Sequence, residues 1–255
     1  MDNGKKILVT RPDHQAENLC KLIEKQGWEA IRFPVIEIQA RPLSVQEIRR
    51  IQDLDQYQQI FFVSANAVNF ALQRMQDKME SLQKISCIAV GNASYKALSL
   101  SGLNNVIKPE QGFNSEAILA MPEMQHMHDK SCLIIRGEGG RELLADSLRE
   151  RGARVDYLEV YKRVMPQPDS RLIVEYLYQK ALAAIFIYSG DALRNLVKIL
   201  ACEDINKNLL NTPVVVISRR VQAIAKKIGF KKIIIADEAS DAAMLNALLN
   251  GEECG

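Results

Sequence analysis

Short runs of apolar and β-branched residues alternate with amphipathic stretches along the whole chain. The first run is Ile7–Thr10, and the stretch after it places Leu19, Leu22 and Ile23 on one face of a helix. The run Leu133–Arg136 and the stretch after it follow the same pattern in the second half of the chain. Strands that are apolar along their length and alternate with helices are typical of a parallel sheet covered on both faces. The pattern therefore predicts an α/β protein.

The same succession of predicted strands, helices and turns occurs twice along the chain. Arg11 aligns with Arg136. The same offset places Gly27 on Gly152 and the segment "IFFVSANAV" on "IFIYSGDAL". A later segment, "CIAVGNASYKALSLSG", matches "VVVISRRVQAIAKKIG" at nearly the same offset. Landmarks that keep their spacing through three blocks indicate two copies of one unit. We expect two similar flavodoxin-like domains, each with a left-handed glycine ending its first helix.

Small polar residues and glycines follow the strands in both copies. In parallel α/β sheets, ligands bind beyond the carboxyl ends of the strands. Such residues at a helix start leave backbone N–H groups directed at a ligand, and the helix dipole favours an anion. The predicted binding residues are Arg11, Ser64, Ala65, Asn66, Gly91, Asn92, Ser94, Arg136, Gly137, Gly140, Ser189, Gly190, Ser218, Arg219 and Arg220. The same residue types are ordinary helix N-caps, so a structural role stays open for any one turn. Arg219 and Arg220 could equally face solvent.

Composition narrows the class of partner. With 47% apolar residues the chain can bury a proper core, and its formal charge of +2 gives no global field for nucleic acid or an anionic membrane. The longest uncharged apolar run, Ala181–Tyr188, is too short to span a bilayer. The 5 cysteines are scattered and no signal peptide is recognised, which favours a reduced, cytoplasmic protein.

Cofactor motifs are not found in the sequence. It has no P-loop, and "GEGG" at Gly137–Gly140 is not the dinucleotide fingerprint. The "HMH" segment, His126–His128, indicates a metal only faintly, so we expect neither metal nor cofactor. The residues alone leave open a cytoplasmic two-domain protein that binds or senses a small anion without catalysis. A flavin-binding sheet is a further alternative.

Several motifs occur together in the order typical of one family. They are "VTRP", "FPVIEI", "FVSANAV", "AVGNAS", "GFNSEAIL", "IIRGEGGRELLADSLRERGA" and "VYKR". By them the chain resembles the uroporphyrinogen-III synthases over essentially its whole length. The resemblance implies a lyase of tetrapyrrole (haem) synthesis that cyclises hydroxymethylbilane to uroporphyrinogen III, with inversion of the terminal ring and loss of water. It implies a polycarboxylate substrate, no cofactor, and a monomer in transient contact with the preceding deaminase.

The resemblance also implies how the chain is divided. Residues 1–38 and 165–255 would form domain 1, and residues 41–160 domain 2. A two-stranded linker would join them, with extended crossings near Pro34–Arg41 and Leu158–Pro166; the prolines there suit extended chain.

Some family roles carry over to single residues. Tyr161 of "VYKR" matches a tyrosine proposed in the family to help the substrate hydroxyl leave, and a packing role is its alternative. Ser189, and Ser64 through the internal repeat, match a serine that meets substrate carboxylates. The segment "SRRV" departs from the family's threonine in the last strand–helix unit, so Ser218 or Arg219 would have to supply that contact.

Overall fold

The computed structural model describes residues 4–110, 112, 114–201 and 203–253. Contacts between residues divide the chain into two compact units. Unit 1 comprises Met1–Glu37 and Val164–Gly255, and unit 2 is the continuous segment Ile38–Arg163.

Strands and helices alternate along the described chain. From the N-terminus to α6 they are β1 (Lys6–Val9), α1 (Asp13–Glu24), β2 (Glu29–Arg32), β3 (Glu37–Ala40), α2 (Val45–Gln52), β4 (Gln59–Phe62), α3 (Ala65–Arg74), α4 (Met79–Lys84), β5 (Ser86–Ala89), α5 (Asn92–Leu100), β6 (Val106–Ile107) and α6 (Ser115–Ala120). They continue as β7 (Ser131–Gly137), α7 (Leu143–Glu150), β8 (Arg154–Val164), α8 (Arg171–Tyr178), β9 (Leu182–Ile187), α9 (Gly190–Ile199), α10 (Glu203–Asn211), β10 (Val214–Val216), α11 (Arg219–Ile228), β11 (Ile233–Ile235) and α12 (Asp241–Glu253).

The sheet of unit 1 has the order β11-β10-β9-β1-β2. The pairs β1–β2, β1–β9, β9–β10 and β10–β11 are all parallel. Strand β1 lies inside the sheet, and its residues Ile7, Leu8 and Val9 are completely buried. Counted along the chain within unit 1, this is the order 2-1-3-4-5 of flavodoxin-like sheets.

The sheet of unit 2 has the order β3-β8-β7-β4-β5-β6. Strands β7 and β8 take the places that β1 and β2 have in unit 1, and β4, β5 and β6 take those of β9, β10 and β11. The two copies therefore correspond strand by strand, although β7 and β8 come last in their unit. Strand β3 lies beside β8 at one edge, so the predicted crossing near Pro34–Arg41 contains a strand of this sheet.

Both faces of the unit 2 sheet are buried. Phe62 packs in a cluster with Leu133, Ile135 and Leu158, whereas its neighbour Phe61 packs in the cluster on the other face. Alternating residues of a strand point to opposite faces, so an apolar run of this kind needs helices on both sides. The predicted α/β class with parallel, helix-covered sheets is confirmed.

Two predicted glycines end helices as expected. Gly27 follows α1 with φ +74°, and Gly152 follows α7 with φ +88°. In this left-handed region a residue without Cβ avoids steric strain. None of the described helices is long and apolar enough to cross a membrane.

Candidate functional site

An irregularity in β8 places Tyr161 in the site of unit 2. Arg136 pairs with Glu159 across β7 and β8, but Gly137 pairs with Tyr161, so one residue of β8 is skipped. Strict alternation would put Tyr161 on the face of Tyr157. The bulge instead puts it in the cluster of Leu158 and Val160. A bulge that redirects a side chain is common beside active sites.

The Tyr161 side chain is held on three sides. Its hydroxyl lies 3.1 Å from the Ser64 hydroxyl, and its ring stacks on Phe70 with centroids 5.8 Å apart. A Cβ at Gly137 would come within 2.5 Å of the Tyr161 Cζ atom. Glycine is therefore required at position 137 for the ring to lie there. Only 2% of Tyr161 is exposed, and that part faces a cavity.

The cavity has a volume of about 380 Å³ and lies beyond the carboxyl ends of β4, β5 and β7. In the sheet, β7 lies between β8 on one side and β4 on the other, and the connection that follows β7 leads to β8. This is the switch point at which doubly wound sheets bind ligands. Of the predicted residues, the cavity brings together Arg136, Gly137, Gly140 and Tyr161. Six further polar residues line it and are not among the predicted binding residues: Asn114, Ser115, Glu138, Arg141, Tyr157 and Arg163.

Arg136 is paired with carboxylates of the protein itself. Its Nε donates to Glu159 at 3.1 Å, and its Nη1 donates to Glu142 at 2.8 Å. Its guanidinium carbon lies 3.7 Å from the centroid of the Tyr157 ring. Tyr157 in turn donates to Glu142. Burial and this bond raise the pKa of Tyr157 to about 12. Arg136 is therefore a fixed cation, already partly neutralised.

Two other arginines of the cavity are more accessible. Arg163 is exposed, and its guanidinium carbon lies 6.0 Å from the Tyr161 ring centroid. Among the described residues it has no carboxylate partner. Arg141 is exposed too, and it forms a salt bridge with Glu116 in which Nη1 lies 3.6 Å from Oε1. Arg163 stands two residues after Tyr161 in "VYKR", so the motif contributes a cation to the cavity as well as the tyrosine.

The turns after β4 and β5 start helices. Ser64 caps α3, and its hydroxyl accepts from the Ala67 N–H at 3.0 Å; Ala65 and Asn66 form the first turn. Gly91 caps α5 and Asn92 begins it with an exposed side chain.

Ser94 is 1% exposed. Of the predicted residues of this turn, Gly91, Asn92 and Ser94 do not line the cavity. Asn114 caps α6 and does line it, accepting from the Ala117 N–H at 2.8 Å.

The turns of unit 1 repeat this arrangement. The Ser189 hydroxyl caps α9 by accepting from the Ala192 N–H at 3.0 Å, and the Ser218 hydroxyl caps α11. Gly190 is buried at the start of α9. Arg219 and Arg220 are exposed in the first turn of α11. Both serines thus act as helix N-caps, at the turns that follow β9 and β10.

Arg11 also binds a carboxylate of the protein. Its guanidinium forms a salt bridge with Asp241 and lies 4.3 Å from the Tyr188 ring centroid. Asp241 also accepts from Tyr188 at 2.6 Å and from Asn18 at 2.9 Å. Burial and the bond to Asp241 raise the pKa of Tyr188. The repeat-related Arg11 and Arg136 therefore share one arrangement, a carboxylate partner and a tyrosine ring.

Within the described residues, no group of three or more His, Cys, Asp and Glu side chains is arranged to hold a metal. The fold and the cavity define an α/β protein of two like units, one of which carries a polar, arginine-lined pocket at the switch point of its sheet.

Comparison with known proteins gives the family. A family model described as uroporphyrinogen-III synthase HemD matches residues 17–246. The chain is 30% identical over 243 residues to the uroporphyrinogen-III synthase of Escherichia coli (strain K12), which covers 95% of this chain and 99% of that protein. It is 31% identical over 243 residues to the enzyme of that name from Salmonella typhimurium, with the same coverage. The chain belongs to the uroporphyrinogen-III synthase family.

Solved structures agree on the fold. A mutant uroporphyrinogen III synthase from the extremely thermophilic bacterium Thermus thermophilus has a TM-score of 0.65 at 18% identity, over 99% of this chain and 100% of that chain. The enzyme of Helicobacter pylori 26695 has a TM-score of 0.66 at 15% identity, over 96% and 99%. The alternative of a non-catalytic anion sensor finds no support in the family or in these relatives.

Proposed function

We propose that the chain cyclises hydroxymethylbilane to uroporphyrinogen III, with inversion of the terminal pyrrole ring and loss of water. Membership of the family supports this reaction. The observation in the molecule that carries it is the pair of hydroxyls, Tyr161 and Ser64, placed by a bulge beside an arginine-lined cavity. The pair offers a proton donor where a hydroxyl must leave, and the arginines offer charge to a polycarboxylate.

The hydrogen bonds around Ser64 favour one direction of donation. The Ser64 oxygen accepts from the Ala67 N–H, and the Ser64 proton is then available for the Tyr161 oxygen. A hydroxyl group donates one proton and can accept as well. In this arrangement the Tyr161 proton is left for the cavity. There it would be donated to the departing hydroxyl of the substrate as its C–O bond breaks and water forms.

Binding would determine which isomer forms. The substrate carries acetate and propionate groups, and Arg163 and Arg141 are exposed cations of the cavity. The start of α6, where Asn114 and Ser115 line the cavity, adds backbone N–H groups. Holding the linear chain in the conformer that permits attack at the inverted ring is an orientation effect. We extend the substrate contacts to Ser189, Gly190 and Ser218, because they stand at equivalent turns of unit 1.

Analysis of product isomers tests the proposal. Hydroxymethylbilane is generated in situ, the protein is added, and the oxidised products are separated by chromatography. We expect isomer III to dominate, whereas closure without an enzyme gives isomer I. Isomer I alone from well-folded protein would refute the proposed function and leave the fold unaffected.

We infer a cytoplasmic monomer that meets the preceding deaminase transiently, and two domains divided as 1–38 with 165–255 and 41–160. Support for a reducing compartment comes from Cys20, Cys87 and Cys132, which are buried free thiols. Light scattering on the purified protein, with and without the deaminase, measures the assembly.

A further inference from the structure

Arg136 is bound by two glutamate carboxylates, and the fold holds one of them much more firmly than the other. Glu159 accepts from its Nε and Glu142 from its Nη1, while the Tyr157 ring lies against the guanidinium. The Arg136 side chain is only 12% exposed, yet it lines the cavity. A carboxylate that replaced one of these partners would therefore meet a cation whose geometry is already fixed.

Glu159 is built into the fold. Its side chain is 18% exposed, and besides Arg136 its Oε1 accepts from the Gly139 N–H at 3.3 Å. Its Oε2 lies 3.8 Å from Arg41 Nη2. Its own backbone N–H donates to Glu47 at 3.2 Å. Moving Glu159 would therefore disturb β8, the turn at Gly139 and the side chain of Arg41 together.

Glu142 is held much less firmly. It precedes α7, its side chain is 47% exposed, and its other partner is the Tyr157 hydroxyl. Solvent and salt screen the half-exposed carboxylate of Glu142, and this weakens its pair with Arg136. An incoming carboxylate can thus take the place of Glu142 at small cost, since the planar guanidinium fits carboxylate oxygens.

We propose that Glu142 covers Arg136 in the free enzyme and that a substrate carboxylate displaces it, while Glu159 keeps the guanidinium against Tyr157. Arg136 is then a substrate ligand, Glu159 its positioning residue and Glu142 an internal competitor. The identity of the ligand, a carboxylate of the linear tetrapyrrole, rests on the proposed function.

The two carboxylates should have opposite effects on binding. Glu142→Gln removes the competing charge and retains an oxygen for Tyr157, so KM falls, by roughly threefold for a weak pair with a half-exposed carboxylate. Glu159→Ala removes the anchor of Arg136, and KM rises by about tenfold or more because a paired cation is misplaced. In both variants kcat changes less than KM, since the contact is made to the bound substrate before reaction.

Asp156 provides the matched control. Like Glu159, it lies on β8. Its carboxylate accepts from the Tyr57 hydroxyl at 3.0 Å and forms a salt bridge with Arg50 at 3.1 Å. Neither Tyr57 nor Arg50 lines the cavity, whereas Arg136, the partner of Glu142 and Glu159, does. Asp156→Ala therefore loses a comparable ion pair of β8 and should leave KM unchanged, although it lowers stability. A general effect of removing acidic residues from β8 would instead move KM in Asp156→Ala as well.

The experiment measures KM for hydroxymethylbilane in the wild type, Glu142→Gln, Glu159→Ala and Asp156→Ala. Equilibrium binding of the porphyrin obtained by oxidising the product is measured in parallel by fluorescence. Opposite shifts for Glu142→Gln and Glu159→Ala support the proposal. An unchanged or raised KM in Glu142→Gln overturns it, even if Glu159→Ala does not fold. If the wild type made no isomer III, the proposed function would fail, and the porphyrin affinities would still decide the displacement of Glu142.

Discussion

Gly137 and Tyr161 fit together so closely that the glycine can be tested directly. A Cβ at position 137 would lie 2.5 Å from Tyr161 Cζ and 2.6 Å from Cε2. The ring is packed against Phe70 and cannot withdraw freely. Gly137→Ala should therefore cost about 1–3 kcal/mol of unfolding free energy, as overpacked cores do. It should also lower kcat by moving the hydroxyl from Ser64.

Urea denaturation and steady-state kinetics measure these two effects. Gly91→Ala is the stability control, because a Cβ there would meet only the Ser94 hydroxyl at 3.9 Å, an ordinary contact. A Gly137→Ala protein as stable and as active as the wild type would show that the ring can move without loss.

Tyr161→Phe separates chemistry from packing at one atom. The substitution keeps the ring between Gly137 and Phe70 and removes only the hydroxyl that contacts Ser64. If this hydroxyl donates to the leaving group, kcat should fall by about a hundredfold, the lower range for general acid catalysis, with KM little changed. Single-turnover rates of isomer III formation check the loss.

Tyr57→Phe is the matched control for this prediction. Tyr57 is also buried in unit 2 and donates to Asp156, but it does not line the cavity. It should lose stability and retain kcat. Equal rates in Tyr161→Phe and the wild type would leave Tyr161 a packing residue.

At the level of single residues, the sequence predicts positions better than partners. The repeat and the strand-end rule point to Arg11 and Arg136. They do not reveal that Arg11 binds Asp241, which is far along the chain, or that Arg136 binds Glu142 and Glu159. Such pairs depend on which strands become neighbours. The sequence therefore indicates cations at the site but not their neutralisation.

The bulge of β8 is an element that the residue pattern conceals. In "VDYLEVYKRV" the alternation places Tyr157, Glu159 and Tyr161 on one face. The skipped pairing after Arg136 transfers Tyr161 to the other face, next to Ser64. The motif "VYKR" could thus suggest the tyrosine, whereas its partner could not be read from any spacing.

The start of α2 contains a buried carboxylate whose titration is measurable. Glu47 is 5% exposed and completes a capping box with Ser44. Burial alone would raise its pKa, but hydrogen bonds from Ser44, Arg41 and the Glu159 N–H together lower it from 4.5 to about 2. Because the folded-state pKa is the lower one, this group stabilises the fold fully above about pH 4.5, and the stabilisation is lost as pH falls toward 2.

The shift of Glu47 corresponds to a contribution on the order of 3 kcal/mol to the unfolding free energy. Urea denaturation between pH 6 and pH 2 should therefore show a steeper loss of stability in the wild type than in Glu47→Gln. Glu80→Gln, which removes an exposed carboxylate of α4, is the control and should follow the wild type. Parallel curves for wild type and Glu47→Gln would contradict the prediction.

For the whole molecule, the repeat in the sequence corresponds to a repeat in topology. Five strands of the unit 2 sheet have the spatial order of the unit 1 sheet, and β3 is added at the edge. The order along the chain differs, because β1 and β2 begin unit 1 whereas β7 and β8 end unit 2. Spacing between landmarks could show the two copies, because corresponding strand–helix units have nearly equal lengths. It could not show which strands share a sheet, since that depends on pairing between distant segments such as β1 and β9.

This division of the chain predicts how fragments fold. Unit 2 is one continuous segment, Ile38–Arg163, with its own sheet buried on both faces. The fragment 38–163 should unfold cooperatively by itself, because its core requires no other part of the chain. Fragment 164–255 lacks β1, whose neighbours in the sheet are β9 and β2. Without it, β9 would have an unpaired edge, and the contacts of Ile7, Leu8 and Val9 would be lost.

Fragment 164–255 should therefore show no dispersed amide resonances alone and should gain them when the peptide 1–37 is added. Two-dimensional NMR of each fragment and of the mixture tests this, with a peptide carrying Leu8→Asp as the control that cannot enter the buried position of β1. Cooperative folding of 164–255 without the peptide would show that β1 is dispensable. If dispersed resonances appear with the wild-type peptide and not with the Leu8→Asp peptide, the N-terminal strand completes the sheet of unit 1. Its position between β9 and β2 requires this result.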